Sequence, residues 1–253
     1  MTAMVVNEVE SGSARDRVAV VTGAGSGVGR ATALALATGG YAVGLVGRRA
    51  GPLAETAALV EERGGRALPL PGDTGDEAAV GASVGTVEAT FGGVDVLVCA
   101  AGVGLYGPVE GYGLADWEET LRTNLTGVFL WARAVVGPMR RRGGGAIVAV
   151  GSGASKQGYA NLAAYSASKF GLLGLMQSLA AEAGPDGVKV STVLPGSILT
   201  DFAGGSADAK RADPGGKAYL EPEDVAGAVL FLLDQPGRAW TQELNLWPVL
   251  PPG

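Results

Sequence analysis

Tyr165 and Lys169 stand four residues apart in Tyr165-Ser-Ala-Ser-Lys169. On a helix that spacing sets two side chains on one face, one turn apart. A free phenol titrates near pH ~10, and a fixed cation beside it favours the phenolate and lowers that value. The pair suits a general acid/base at the oxygen end of an alcohol–ketone interconversion. Alone, it is also a common accident of amphipathic helices. Ser152 follows the apolar run Ala146–Val150 and lies thirteen residues before Tyr165. A hydroxyl at a strand end can hydrogen-bond a substrate carbonyl. Asn124, in Thr123-Asn-Leu-Thr-Gly127, opens a helical pattern and is either a site residue or a polar group on a helix face.

These residues need elements to hold them, and the first is a nucleotide-binding unit. The apolar run Val18–Val21 reads as a buried parallel strand. Thr22-Gly-Ala-Gly-Ser-Gly-Val-Gly29 follows it, then a helix from Arg30 to about Thr38 and a second strand, Ala42–Val46. Strand, glycine turn, helix, strand is the context in which such a loop binds a dinucleotide. Glycines admit the pyrophosphate, and a helix N-terminus offers free N–H groups. Gly23, Ser26, Gly27, Val28 and Gly29 are the candidate contacts; a plain turn in a chain of 43 glycines is the alternative. After the second strand comes Gly47-Arg48-Arg49, with no acid before Glu55. An NAD site usually carries an acid here for the ribose 2′-hydroxyl, whereas guanidinium suits a 2′-phosphate. The reading is therefore NADP(H), with Arg48 as main contact and Arg49 or Ser26 assisting.

The rest of the chain alternates similarly. A helix over 52–63 precedes a strand at Arg66–Leu70, then Asp73-Thr74, a helix from Glu77 to Phe91 and a strand at Val94–Val98. A long helix from Asp116 to about Arg142 carries Asn124. The Tyr165 helix, a strand at Val188–Val193, Pro195-Gly-Ser-Ile-Leu-Thr200, a helix from Pro222 to Leu233 and a last strand in Glu243–Val249 complete it. The expected fold is a doubly wound, Rossmann-type α/β domain with about seven parallel strands and helices on both faces. Residues 1–14 read as a loose tail and 15–253 as one catalytic domain. The glycine-rich 201–220 stretch is a candidate substrate lid or a plain surface excursion.

Taken in this order and at these spacings, the glycine loop, Asn124, Ser152 and Tyr165-x-x-x-Lys169 resemble the short-chain dehydrogenase/reductase family, over about Arg17 to Pro248. The resemblance implies NADP(H)-dependent carbonyl reduction or its reverse. It implies that Lys169 holds the cofactor ribose and lowers the Tyr165 pKa, and that Asn124 holds a water relaying protons from Lys169. It places Asp73 and Thr74 beside the adenine, and Pro195, Gly196, Ile198 and Thr200 at the nicotinamide end. Gly-Arg-Arg after the second strand resembles the NADP-preferring type. A homotetramer or homodimer is the family habit. The usual Asn-Asn-Ala-Gly after the fourth strand is here Cys99-Ala100-Ala101-Gly102, so Gly102 stays while a loss of tethering hydrogen bonds is expected, about 1 kcal/mol each. The substrate pocket should draw on Val103 to Tyr106, Gly153, Ala154, Tyr159, Gly196 to Ile198 and the 201–220 loop. An epimerase or dehydratase on the same scaffold, or a non-catalytic NADP(H)-binding module, are the rival readings.

Composition agrees with a small-molecule enzyme. Of 253 residues, 47% are apolar and 17% charged, so the chain can build a core. Net charge is −6 and the longest basic run is Arg140-Arg-Arg142, which argues against nucleic acid. There is no histidine and one cysteine, so no metal site is expected. Cys99 reads as a buried small side chain suited to a reducing cytoplasm. No apolar run approaches the ~20 residues of a membrane helix, and residues 1–10 lack the plan of a signal peptide.

Overall fold

The computed structural model describes residues 17–212 and 218–249. The tail read at 1–14, positions 213–217 of the lid segment and the closing 250–253 lie outside the described residues. Seven strands form one sheet: β1 Arg17–Thr22, β2 Tyr41–Gly47, β3 Arg66–Pro71, β4 Val96–Cys99, β5 Gly145–Val150, β6 Val188–Pro195 and β7 Glu243–Leu246. Their order is β3-β2-β1-β4-β5-β6-β7, and every pairing is parallel. The helices are α1 Gly27–Thr38, α2 Ala50–Glu61, α3 Glu77–Phe91, α4 Leu114–Leu121, α5 Gly127–Arg141, α6 Ala163–Ala183, α7 Ala207–Arg211 and α8 Pro222–Leu233.

Strand alternation divides the core. Ala19 and Val21 of β1 face α1, α2 and α8 through Leu36, Leu53, Val60 and Val229. Val18 and Val20 face α3, α5 and α6 through Val87, Trp131, Val135 and Met176. Two fully apolar faces explain why β1, β2 and β4 read as unbroken apolar runs. Helix limits follow local chemistry. Asp76 caps α3 by accepting from Ala79 N at 3.0 Å, and Gly92 ends it in the left-handed region at φ 87°. Pro222 opens α8 within a capping box of Glu221 and Asp224.

Four limits differ from the sequence reading. The helix expected from Asp116 to Arg142 starts at Leu114 and is interrupted by a π turn over Arg122–Thr126, where Gly127 N–H donates to Arg122 O. Single π turns inside α-helices gather at functional sites, and this one holds Asn124. β4 begins at Val96, because Asp95 serves as an anchor: its carboxylate accepts from Val18 N at 2.9 Å and pairs with Arg142 at 3.1 Å. α1 starts at Gly27, earlier than expected. β7 stops at Leu246, and Pro248, which has no N–H, follows soon after. Among the described residues, no helix is long and apolar enough to cross a membrane.

Candidate active site

Strand order reverses between β1 and β4, so their carboxyl ends part and leave a crevice, the place where open α/β sheets bind ligands. A cleft of about 620 Å³, measured out to its open mouth, occupies it. Gly23, Ser26, Arg48, Arg49, Asp73, Thr74, Ala101 and Gly102 line it as expected. The turn from β1 to α1 is shaped for close approach. Gly23 sits at φ 70°, and a Cβ on Gly29 would collide with the Gly23 carbonyl. Ser26 occupies the N-cap of α1 without bonding a helix N–H through its side chain, and the first turn holds no acid. Free N–H groups at the positive end of the helix dipole therefore remain for a phosphate. Arg48 reaches the cleft from the end of β2, and its guanidinium pairs with Glu119 of α4 at 3.1 Å. Glu119 also pairs with Arg122 at 2.5 Å, and Arg122 with Asp73 at 2.7 Å. Burial pulls the Asp73 carboxyl up, but the Gly75 N–H and the Arg122 guanidinium outweigh it and hold the group below its ordinary value. The residues present thus fit a dinucleotide, and Arg48 and Arg49 border the cleft at the end of β2.

On α6 the spacing Tyr165, Lys169, Leu172, Met176, Ala180 makes the buried stripe, so packing the helix carries the phenol and the ammonium inward together. The Ser152 hydroxyl stands near the Tyr165 phenol, close enough to act on its pKa, and accepts from Ala154 N at 3.1 Å. Ser152 caps the 3-10 turn Gly153–Ser155 just beyond β5, and this fixes the hydroxyl at the carboxyl edge of the sheet. Lys169 Nζ donates to Val150 O at 2.8 Å and lies 5.7 Å from the Tyr165 ring centroid. The expectation that Lys169 lowers the Tyr165 pKa is not met in this arrangement. Burial raises the phenol above its ordinary 10.0, the nearby Ser152 hydroxyl pulls it partly back, and the neighbouring Tyr106 adds to the rise. Burial likewise lowers Lys169 from 10.5 to about 8. Desolvation is the largest cause for both groups.

Asn124 is fully buried in the π turn. Its Oδ1 accepts from Val103 N at 2.8 Å, and its Nδ2 donates to Val103 O at 3.0 Å and to Ser168 Oγ at 3.1 Å. Its side chain thus ties the loop after β4 to α6. At Cys99-Ala100-Ala101 the end of β4 is tied to β1 through backbone N–H groups. Thr22 Oγ1, at the end of β1, accepts from both Ala100 N and Ala101 N at 3.1 Å. Cys99 itself is buried, and burial pushes its thiol up to about 12.

The segment after β6 completes the neighbourhood. Thr200 Cγ2 would lie 3.2 Å from a Cβ on Gly27, which brings the two loops together, and Leu199 N donates to Leu220 O at 2.8 Å. Lys210 of α7 donates to Thr200 O at 2.5 Å. Phe202 and Tyr106 flank the Tyr165 ring, at centroid distances of 5.9 and 5.8 Å. The structure therefore gathers Ser152, Tyr165 and Lys169 and, around the cleft, eight of the eighteen expected cofactor residues. Gly27, Val28, Gly29, Ala100, Tyr165, Lys169, Pro195, Gly196, Ile198 and Thr200 are not among the residues that line it. Gly25, Pro52, Leu53 and Thr123 line it and were not foreseen, nor was the part of Thr22, Glu119 and Arg122. Thr22 stood in the glycine motif; the other two had no sequence signal, since their partners lie 49 and 71 residues away.

Comparison with known proteins agrees with this geometry. The family model described as short chain dehydrogenase matches residues 17–211. D-threitol dehydrogenase of Mycolicibacterium smegmatis is 41% identical over 223 residues, 85% of each chain. Levodione reductase of Leifsonia aquatica is 34% identical over 235 residues, 86% of this chain and 87% of its own. An alcohol dehydrogenase from the archaeon Thermococcus sibiricus, solved with 5-hydroxy-NADP, superposes with a TM-score of 0.85 at 31% identity, over 94% of this chain and 98% of its own. The seven-stranded parallel sheet, the cleft at its reversal point and a family match over most of the chain lead to one conclusion: this protein belongs to the short chain dehydrogenase family of oxidoreductases.

Proposed function

We propose that the protein interconverts a secondary alcohol and a ketone with NADP(H). The observation that carries this is the grouping of the Ser152 hydroxyl, the buried Tyr165 phenol and, one helical turn on, Lys169 at the carboxyl edge of the sheet. Two relatives agree in chemistry: one is named for oxidising an alcohol and one for reducing a dione. The structural relative solved with an NADP derivative and the Arg48–Arg49 edge of the cleft support the phosphorylated cofactor.

In the reduction direction Ser152 and Tyr165 hydrogen-bond the substrate oxygen and hold the carbonyl facing the cleft. A bound nicotinamide supplies the hydride. Tyr165 donates its proton as negative charge grows on the oxygen, and its raised pKa keeps that proton in place at neutral pH. Lys169, whose ammonium donates to Val150 O at 2.8 Å, is the residue that would hold the cofactor ribose. Asn124 fixes Val103 and Ser168, and so the distance between the loop after β4 and α6. Exposed apolar side chains on α4, α5 and α6, among them Trp117, Phe129 and Phe170, suit a homo-oligomer, and the buried Cys99 thiol suits a reducing cytoplasm. The described part of 201–220 acts as a lid over Tyr165 through Phe202.

The test is Tyr165→Phe, assayed with NADPH by nicotinamide fluorescence and by turnover. Cofactor affinity is expected within about threefold of the parent and turnover at least about a hundredfold lower. Near-normal turnover would sink the assignment.

A further inference from the structure

Four large aromatic side chains crowd the approach to Tyr165. Tyr106 meets its ring edge-on at 80°, and Phe202 lies tilted at 60°. Both are admitted by Gly104, where a Cβ would lie 2.7 Å from the Phe202 ring and 2.9 Å from the Tyr106 hydroxyl. On the Ser152 side, Gly153 would meet the Trp247 ring at 2.8 Å and the Tyr159 hydroxyl at 3.7 Å. Gly196, in the loop after β6, would meet the same indole at 2.8 Å. Four separate segments thus each bring a ring to one place, and glycines make room for them. All four rings remain between 37% and 56% exposed, although the Tyr165 they surround is 8% exposed. Wide apolar surface left in water around a buried polar pair is what a binding mouth looks like before it is filled.

The charged groups of the same segments are turned to other uses. Residues 103–106 carry none, 152–159 carry Lys156 and 195–206 carry Asp201. Lys156 pairs with Glu243 at 2.5 Å, and Asp201 accepts from Ala207 N at 2.8 Å. Lys210 is held by the carbonyls of Thr200 and Ile198. A carboxylate entering here would meet no cation from these segments that is not already engaged, and a polyol would meet more ring face than hydroxyl. A flat or puckered ring would bury its own apolar surface on these faces.

We propose that this mouth takes a compact, uncharged ring ketone, aryl or alicyclic, or its alcohol, and that Phe202 and Tyr106 set the preference. The inference rests on the alcohol–ketone reading above and adds the substrate class. The probes are 1-phenyl-2-propanone and cyclohexanone against erythrulose and acetoacetate, with acetone as a small reference, each at saturating NADPH and again at saturating NADH. The expected result is kcat/KM at least about tenfold higher for the two ring ketones than for erythrulose or acetoacetate. In Phe202→Ala the ratio of phenylpropanone to acetone kcat/KM falls about tenfold, and Phe202→Leu, which keeps an apolar contact, recovers part of it. Preference for erythrulose or acetoacetate, or an unchanged ratio in Phe202→Ala, overturns the substrate class and leaves the alcohol–ketone reading standing. Turnover of no probe, in either direction, overturns that reading and this inference with it.

Discussion

Thr22→Val is the sharpest test of how the cofactor cleft is held open. The hydroxyl at the end of β1 accepts from Ala100 N and Ala101 N, both at 3.1 Å, and the residue is 2% exposed. Valine nearly matches threonine in volume, so the change removes an acceptor without leaving a cavity. A buried N–H stripped of its partner costs about 1–3 kcal/mol. Two such groups, one of them close enough to the cleft to find water, give about 2–4 kcal/mol. Thr22→Ser keeps the oxygen and drops one methyl, which costs about 1 kcal/mol. Urea unfolding at fixed protein concentration, where association cannot shift the midpoint between samples, should rank parent, Ser variant and Val variant in falling order. The Val variant should also bind nicotinamide cofactor more weakly, since Ala101 and Gly102 border the cleft. A Val variant as stable as the Ser variant would refute the claim that the Thr22 hydroxyl ties the end of β4 to β1.

Two further predictions follow from the charged groups. Arg48→Ala should weaken NADPH binding about tenfold or more while leaving NADH within about twofold, and Glu119→Gln, which frees the Arg48 guanidinium from its 3.1 Å pair, should tighten NADPH binding; equal losses for both cofactors in a fluorescence titration would remove Arg48 from the phosphate site. Lys169 is lowered by burial from 10.5 to about 8, so below pH 8 the folded state carries a buried charge it disfavours, and that destabilisation is relieved as pH rises from about 8 to 10.5. Lys169→Met should therefore be more stable than the parent at pH 7, by about 2 kcal/mol after the lost Val150 contact, with the gap closing toward pH 10; a gap independent of pH in urea unfolding would contradict the burial argument.

The fold was legible because each element announced itself locally. Val18–Val21 and Ala42–Val46 read as two-sided strands, and α3 fell on Glu77–Phe91 as expected, because an acid N-cap and a glycine stop frame it. Tyr165, Lys169 and Ser152 were legible because their spacing converts directly into helix face and strand end. What the sequence concealed is long-range. The π turn at Arg122–Thr126 has no signature in a run that patterns as continuous helix. The Arg48–Glu119–Arg122–Asp73 chain joins three segments, none of which signals the others. The raised pKa of Tyr165 was not legible because a pairwise rule, cation beside phenol, ignores burial, and here burial is the larger effect.

The lone cysteine has a practical consequence. Cys99 sits inside β4 with 3% of its surface open and its thiol held far from ionisation at neutral pH, so thiol-directed reagents meet an inert protein. A single thiol introduced at exposed Ala209 on α7 would then be the sole attachment point for a fluorophore or spin label. The native chain is already the silent background that site-directed labelling of α7 requires, and no native residue has to be sacrificed to obtain it.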